Sequence, residues 1–247
     1  MSKRTRWVIF YCALAIFLVV SSLMVVFALG YRYDFSEQKF VQMGSFRVIT
    51  NTGASVYING KLSGKTSFLN NDYAKTRLLP RNYTVRVEKE QHHVWQKNIS
   101  IVAGLFSDFP KVVLVPTLLE SELVATASFG FPTEESNIRV TKGKSLAFDK
   151  LTISFEWLDG TDYQPFHQVG DFETAISFPT VIDDVQWYRD NEHVLIASAG
   201  SLWFAEIDTR GGANTWKLMD LEGQFLYDED DNVVYFIEDK ELMRAKL

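Results

Sequence analysis

The longest apolar stretch of the chain lies near its N-terminus, from Trp7 to Leu29. Only Ser21 and Ser22 interrupt this run of 23 residues, and none of its side chains is charged. As an α-helix the run is roughly 34 Å long, which is enough to cross a hydrocarbon core of about 30 Å. The pattern therefore predicts that residues 1–30 form a short cytoplasmic stub and a transmembrane anchor.

Three basic residues, Lys3, Arg4 and Arg6, precede this run. Basic flanks stay on the cytoplasmic side, so the N-terminus is predicted to be cytoplasmic and the chain after Gly30 extracytoplasmic. A cleaved signal peptide is the alternative, but its apolar core is about 7–15 residues long and ends at a small-x-small site. The longer run here favours an uncleaved, single-pass anchor in the cell membrane, with Trp7–Leu29 in contact with the lipid bilayer.

After a polar connector over residues 31–44, which is expected to be extended, the hydrophobic period becomes two. The segment Tyr83–Val87 alternates apolar and polar residues, as a half-buried strand does. Asn59-Gly60 follows the apolar run Val56–Ile58 and is a strong hairpin signal, because both residues of a type I′ turn need a positive φ. Short strands without an amphipathic helix of ordinary length predict a small antiparallel β-sandwich over residues 45–116.

This β-rich region resembles the PEGA domain in three segments. They are Asn51–Thr66 with its V-Y-I-N-G hairpin, Leu79–Val87 with its L-P-R-N-Y-T-V strand entry, and His93–Lys97 with its Trp before a further strand. A Pro-Glu pair, a second Pro and a turn Gly of the family pattern are replaced here by Asn51 and Thr52, Ser67 and Asn82. The resemblance implies an extracytoplasmic β-module that has no catalytic residues and serves for binding or spacing at cell surfaces.

The second half of the chain, residues 117–247, repeats a hairpin pattern near its end. The pattern of Tyr188–Ile196 is repeated in Tyr227–Tyr235, 39 residues later. The pattern of Leu202–Ile207 is repeated in Leu242–Leu247, 40 residues later. Each copy has a polar turn, an apolar strand, a tight turn and a second apolar strand. This order and spacing resemble the blades of WD40-like and TolB-like β-propellers.

A closed propeller does not fit this half, because four blades need about 160 residues and about 130 are present. Three arrangements stay open: a partial propeller, a β-sandwich with repeat-like hairpins, and a ring completed by several chains, which would be a homo-oligomer. The predicted fold class is an all-β ectodomain, a small antiparallel β-sandwich plus propeller-like β-hairpin repeats, on a single N-terminal transmembrane helix.

Composition narrows the classes of function. The chain of 247 residues is 47% hydrophobic and 23% charged, which is too apolar for a disordered protein. Without Lys3, Arg4 and Arg6 its net charge is −9, against −6 for the whole chain, so a broad basic surface for nucleic acid is not expected. The single cysteine, Cys12, lies inside the apolar run, which excludes an intrachain disulfide and a zinc site with two thiolates.

Candidate catalytic and metal-binding residues are few. The acidic run Asp228–Asp231 lacks the Gly and the distal Glu of an EF-hand loop and is interpreted as a hairpin turn. His92 and His93 would point to opposite faces of a strand, so they cannot easily share a metal ion. No nucleophile elbow, zinc-protease motif or phosphate-binding Gly loop occurs, and His167 has no triad context. We therefore expect no catalytic residues, no cofactor and no metal site.

Aromatic side chains are the candidates for ligand binding, since they can stack on sugars or peptides. Trp95 is expected in the core, whereas Trp157 and Trp216 have more polar neighbours and are the candidate surface residues. The leading hypothesis is a non-enzymatic cell-envelope protein whose PEGA-like module presents the β-repeat module for binding protein or surface polysaccharide. The alternatives are an envelope hydrolase acting on wall or glycan and a purely structural, self-assembling surface protein.

Overall fold

The N-terminal apolar segment forms helix α1 (Lys3–Ala28). The computed structural model describes residues 2–125, 131, 138–141, 143–160 and 167–247. Within these residues, α1 is the helix whose length and composition would allow it to cross a membrane, and none of its side chains is buried. The hydroxyls of Ser21 and Ser22 donate to the backbone carbonyl of Leu18 at 3.0 and 2.8 Å, so both polar groups are satisfied within the helix.

The residues after the helix form an antiparallel hairpin of β1 (Tyr31–Asp34) and β2 (Lys39–Gln42). The expectation of an extended connector over residues 31–44 is therefore wrong. The chain reverses because the Asp34 carboxylate accepts hydrogen bonds from the backbone N–H and the hydroxyl of Ser36, at 2.9 and 2.7 Å. Local side-chain bonds of this kind stabilise turns.

Seven strands follow in the region of the PEGA-like sequence. They are β3 (Gly44–Thr50), β4 (Ser55–Ile58), β5 (Lys61–Lys65), β6 (Asp72–Leu78), β7 (Asn82–Glu88), β8 (Trp95–Ser100) and β9 (Phe106–Val112). Their sheet orders are β6-β3-β9 and β5-β4-β7-β8. The predicted hairpin between β4 and β5 is confirmed, with φ of 50° at Asn59 and 76° at Gly60. Val85 and Val87 of β7 are buried, as their alternation predicts.

Twelve further strands form three four-stranded sheets. They are β10 (Ser121–Ala125), β11 (Ile138–Thr141), β12 (Lys144–Phe148), β13 (Thr152–Trp157), β14 (Phe172–Ser177), β15 (Ile182–Trp187), β16 (His193–Ser198), β17 (Ser201–Glu206), β18 (Thr215–Asp220), β19 (Phe225–Asp228), β20 (Val233–Glu238) and β21 (Glu241–Lys246). The orders are β11-β12-β13-β14, β15-β16-β17-β18 and β10-β21-β20-β19. In the last sheet Ser121 of β10 lies opposite Ala245 of β21, so residues far apart in the sequence pair directly.

The two central strands of the sheet formed by β15–β18 are buried on both faces, with all six residues of β16 and five of the six residues of β17 buried. Leu195 belongs to a core cluster that contains Phe236 of β20. Its neighbour Ile196 belongs to a second cluster that contains Phe155 of β13. Successive residues of a strand point to opposite faces, so the three sheets are stacked with β15–β18 in the middle.

The two segments that echo each other in the sequence form matching hairpins. In β16 and β17, His193 pairs with Glu206, and in β20 and β21, Val233 pairs with Lys246, each 40 positions later. The predicted order of strands and turns is thus found in both copies. The sheets of the described residues are small, and no closed barrel or propeller is found among them.

The chain divides into two compact units. The first contains Met1–Arg47, Ala74–Asn82 and Ser100–Asp108, and the second contains Val48–Tyr73, Tyr83–Ile99 and Phe109–Leu247. The second unit therefore includes the three stacked sheets together with most of β8, and it holds the candidate functional site described next.

Candidate functional site

A cavity of about 300 Å³ in the second unit brings aromatic and charged side chains together. The aromatic residues that line it are Phe109, Phe155, Trp157 and His167. The charged ones are Lys111, Lys144, Glu173, Glu192, Glu206, Asp208 and Arg210. Rings combined with a few fixed polar groups are typical of ligand pockets, whose volumes are about 300–1,000 Å³.

Strand pairing places Lys144 beside Trp157 in the cavity wall. Lys144 begins β12 and lies directly opposite Trp157, the last residue of β13. Partners across a sheet project to the same face, and Lys144 Nζ lies 4.3 Å from the centre of the indole ring. The His167 ring stacks on the same indole at 4.1 Å between centroids. Both groups lie against the indole ring, which leaves the edge of Trp157 for contact with a ligand.

The edge of Trp157 carries an unused hydrogen-bond donor. Its Nε1 is buried and has no hydrogen-bond partner among the residues that the structure describes. A buried donor without a partner costs about 1–3 kcal/mol. A ligand oxygen that accepts a hydrogen bond from Nε1 would remove this cost.

Lys144 is an oriented cation in the same wall, with a side chain that is 5% exposed. Its Nζ lies 2.7 Å from Glu192 Oε2 and donates to the Asn191 carbonyl at 3.3 Å. Burial lowers the pKa of Lys144, although the Glu192 carboxylate opposes this shift. The ammonium group is thus held by a carboxylate, a carbonyl and an aromatic ring.

A buried ion cluster fixes two of the carboxylates that line the cavity. Lys97 of β8 has a side chain with 0% exposure, and its Nζ lies 3.2 Å from Glu206 Oε2 and 3.6 Å from Asp208 Oδ1. Glu206, with 3% exposure, also accepts hydrogen bonds from Trp95 Nε1 at 3.3 Å and Asn214 Nδ2 at 2.9 Å. Strand β8 is therefore joined to the end of β17 by an ion pair between Lys97 and Glu206 that is almost completely buried.

Asp208 is held as an anion by its neighbours. Burial raises its pKa, but hydrogen bonds and charge from Arg210, together with the charge of Lys97, outweigh burial and leave the pKa below the usual range. Arg210 donates from Nε and Nη2 to the carboxylate, at 2.9 and 2.6 Å, and its guanidinium lies 4.3 Å from the Phe109 ring centre. Asp208 can therefore accept hydrogen bonds from a ligand but is a poor proton donor at neutral pH.

The hairpin at Asn59-Gly60 and the strand that carries Trp95 and Lys97 lie within one recognisable segment. Residues 43–106 match the PEGA domain. The match covers about a quarter of the chain and confirms the resemblance that the sequence predicts. No curated protein matches the chain. Lys97 thus belongs to the PEGA domain, whereas its partners Glu206 and Asp208 lie outside it.

The two tryptophans predicted as binding candidates lie in different surroundings. Trp157 lines the cavity. Trp216 packs instead against Phe204 and His93, at 6.2 and 6.0 Å between ring centroids, on the border of a core cluster. The structure therefore does not bring the two residues together, and only Trp157 lines this cavity.

The sequence did not reveal the charged residues around the cavity, because their partners are distant along the chain. Lys97 of the PEGA domain and Asp208 are 111 positions apart. One signal was present: Lys97 takes an inward position between Trp95 and Ile99 in the alternating strand β8. A charge at such a position needs a buried partner.

The acidic run Asp228–Asp231 and the pair His92 and His93, which were also considered for chemistry, lie away from the cavity lining. The acidic run forms a turn, as predicted, in which the Asp228 carboxylate accepts the backbone N–H groups of Asp230 and Asp231 at 3.1 and 3.4 Å. Burial, followed by the charge of His92, lowers the pKa of His93. In the part of the chain that the structure describes, no three His, Cys, Asp or Glu side chains gather as metal ligands.

Proposed function

We propose that this chain is a non-enzymatic, membrane-anchored protein of the cell envelope. Its PEGA domain would present the stacked β-sheets for binding an envelope protein or a surface polysaccharide. PEGA domains often occur in extracellular or envelope proteins, and α1 has the length and apolarity of a membrane span. Lys3, Arg4 and Arg6 before the helix favour a cytoplasmic N-terminus and an extracytoplasmic remainder.

The cavity beside Trp157 is the observation that supports binding. Lys144 and His167 lie against the indole ring, so the features offered to a ligand are ring edges, the Nε1 donor and the fixed charges of Lys144 and Asp208. Such a set suits a compact group rich in hydroxyl or amide oxygens. One sugar unit of a polysaccharide or one polar side chain of a protein has this chemistry and fits a small pocket.

We interpret the three stacked sheets as propeller-like blades. Each sheet has four antiparallel strands, adjacent sheets pack face to face, and two of the hairpins repeat after 40 residues. Three blades fall short of the usual ring of four or more. A ring completed by several chains would appear as an increase of molar mass with concentration in light scattering, and a constant monomer mass would contradict it.

Replacing Trp157 tests the binding site. The full chain in detergent micelles is screened on an array of purified envelope glycans and peptides, and Kd for the best probe is measured by calorimetry. We expect Trp157→Leu to raise Kd at least ~10-fold, equivalent to about 1.4 kcal/mol, because the Nε1 donor and the support for Lys144 are lost. Trp216→Leu, a tryptophan outside the cavity, is the matched control and should change Kd less than ~2-fold.

Two outcomes would contradict the binding site. Equal Kd values for Trp157→Leu and the unmodified chain would place the ligand elsewhere. A full chain that retains no glycan and no peptide from the array would oppose the binding function itself.

An envelope hydrolase is the second candidate, because four carboxylates line one cavity: Glu173, Glu192, Glu206 and Asp208. A general acid needs a raised pKa, whereas that of Asp208 is lowered, and Glu206 and Glu192 are each paired with a lysine. Release of reducing ends or new amino groups from the same probes would favour the hydrolase over the binding protein.

A further inference from the structure

The hairpin formed by β1 and β2 has one aromatic face. Tyr33 pairs across the hairpin with Phe40, and Phe35 follows at the turn. The ring centroids of Phe35 and Phe40 lie 5.0 and 5.3 Å from that of Tyr33, so the three rings form one cluster. Phe35 is 85% exposed, Phe40 is 49% exposed and Tyr33 is 38% exposed.

The opposite face of the hairpin carries charged side chains near the turn, and these make polar contacts. Asp34 is only 6% exposed, and its carboxylate lies 3.5 Å from the guanidinium of Arg81 within the same compact unit. Lys39, opposite Asp34 in the register, pairs with Glu37. The hairpin therefore has fixed polar contacts on one side and three exposed rings on the other.

The hairpin is tied to the end of helix α1. Only Leu29 and Gly30 separate the helix from β1, and the backbone N–H of Met43 donates to the Gly30 carbonyl at 2.9 Å, which closes the base of the hairpin. The guanidinium of Arg32 lies 5.2 Å from the ring centre of Phe27, the penultimate residue of the helix. If α1 spans a bilayer, this covalent and polar linkage places the hairpin at the level of the lipid headgroups.

We propose that the aromatic face of the β1–β2 hairpin lies flat in the headgroup region of the bilayer that α1 spans. This inference rests on the membrane anchoring proposed above. Aromatic side chains are enriched at membrane interfaces, and a two-stranded hairpin alone is at best marginally stable in water. The headgroup layer is about 5–8 Å deep on each side, so an upright hairpin, at about 3.3 Å per residue, would instead carry Phe35 into water.

Spin labels on the full chain distinguish the two orientations. With Cys12→Ala, the chain has no other cysteine, so Phe35→Cys and Lys39→Cys can each be labelled alone. Both sites are exposed, and Lys39 on the polar face is the matched control in the same hairpin. In vesicles of phosphatidylcholine and phosphatidylglycerol at about 3:1, collision rates with oxygen and with a neutral nickel chelate are measured by electron paramagnetic resonance.

A flat hairpin should give the label at position 35 a collision rate with the nickel chelate at least ~3-fold lower than at position 39, and a higher rate with oxygen. Equal rates at the two positions, in vesicles that carry the protein through a flotation gradient, would overturn the inference while leaving the anchor intact. Failure of the chain to float with the vesicles would overturn the anchor, and the inference with it. Circular dichroism of both variants in micelles verifies that the β-sheets are retained.

Discussion

Lys97 shows how a single residue of the PEGA domain depends on a distant part of the chain. Its ammonium group has no access to water and lies between the carboxylates of Glu206 and Asp208. Charges removed from water need close partners, and the loss of one partner leaves the other without compensation. Lys144 is also buried, but its partner Glu192 keeps 25% of its side chain exposed, so water can solvate that carboxylate.

Substituting the two lysines should therefore have unequal effects on stability. Lys97→Met should lower the free energy of unfolding by about 3–5 kcal/mol, because Glu206 stays buried without its cation. Lys144→Met keeps the aliphatic stem and relieves the burial of a charge, so its loss should not exceed about 1 kcal/mol. Urea unfolding of the full chain in micelles, followed by circular dichroism, measures both values. Equal losses of unfolding free energy would show that the exposure of the carboxylate partner, Glu206 or Glu192, does not determine the effect of removing the lysine.

For single residues, the sequence indicated which side chains could bind a ligand but not which side chains they contact. It pointed to Trp157 through its polar neighbours, and Trp157 does line the cavity. It gave the same weight to Trp216, which packs on a core cluster. The difference arises from strand pairing, which sets Lys144 opposite Trp157, and a register between strands cannot be inferred from composition.

Among the elements, the hairpin between β4 and β5 was predictable because its turn needs particular residues. Asn59 and Gly60 both have positive φ, which Asn and Gly tolerate best. The hairpin of β1 and β2 was not predicted, since its turn contains no Asn-Gly or Asp-Gly pair and depends instead on the bonds between Ser36 and Asp34.

The turn between β4 and β5 offers a test of this reasoning. Gly60→Val should destabilise the second unit by about 1–3 kcal/mol, because a β-branched residue resists a φ of 76°. Gly53→Val is the matched control, since Gly53 has no positive φ and a Cβ there meets no atom within 4 Å. The shift of Tm for both variants is measured by scanning calorimetry. A Tm for Gly60→Val equal to that of the control would mean that the turn contributes nothing to stability.

The whole molecule differs most from what the sequence suggested. The repeated pattern of Tyr188–Ile196 and Tyr227–Tyr235 predicted two hairpins, and both are present. The sheet of β11–β14 was not identified, because its strands are spaced differently from the two repeats. The pairing of β10 with β21 was also missed, since no local pattern connects residues separated by more than a hundred positions.

The stack of three sheets predicts a gradient of protection in hydrogen exchange. Amides of β16, the strand with all six residues buried, should exchange at least ~100-fold more slowly than those of the edge strand β11. Mass spectrometry of peptic fragments from the full chain in micelles measures both rates under the same conditions. Similar rates in β16 and β11 would contradict a middle sheet whose central strands are buried on both faces.

Because Ser121 pairs with Ala245, strand β10 is synthesised well before the strand with which it pairs. A ribosome adds about 5–20 residues per second, so roughly 6–25 s pass between the synthesis of β10 and that of its partner strand. During that interval β10 has an unpaired edge, which is where nascent chains associate wrongly. This sheet therefore cannot be completed until residue 245 has been synthesised, and a nascent chain that stalls before that point would expose the unpaired edge of β10.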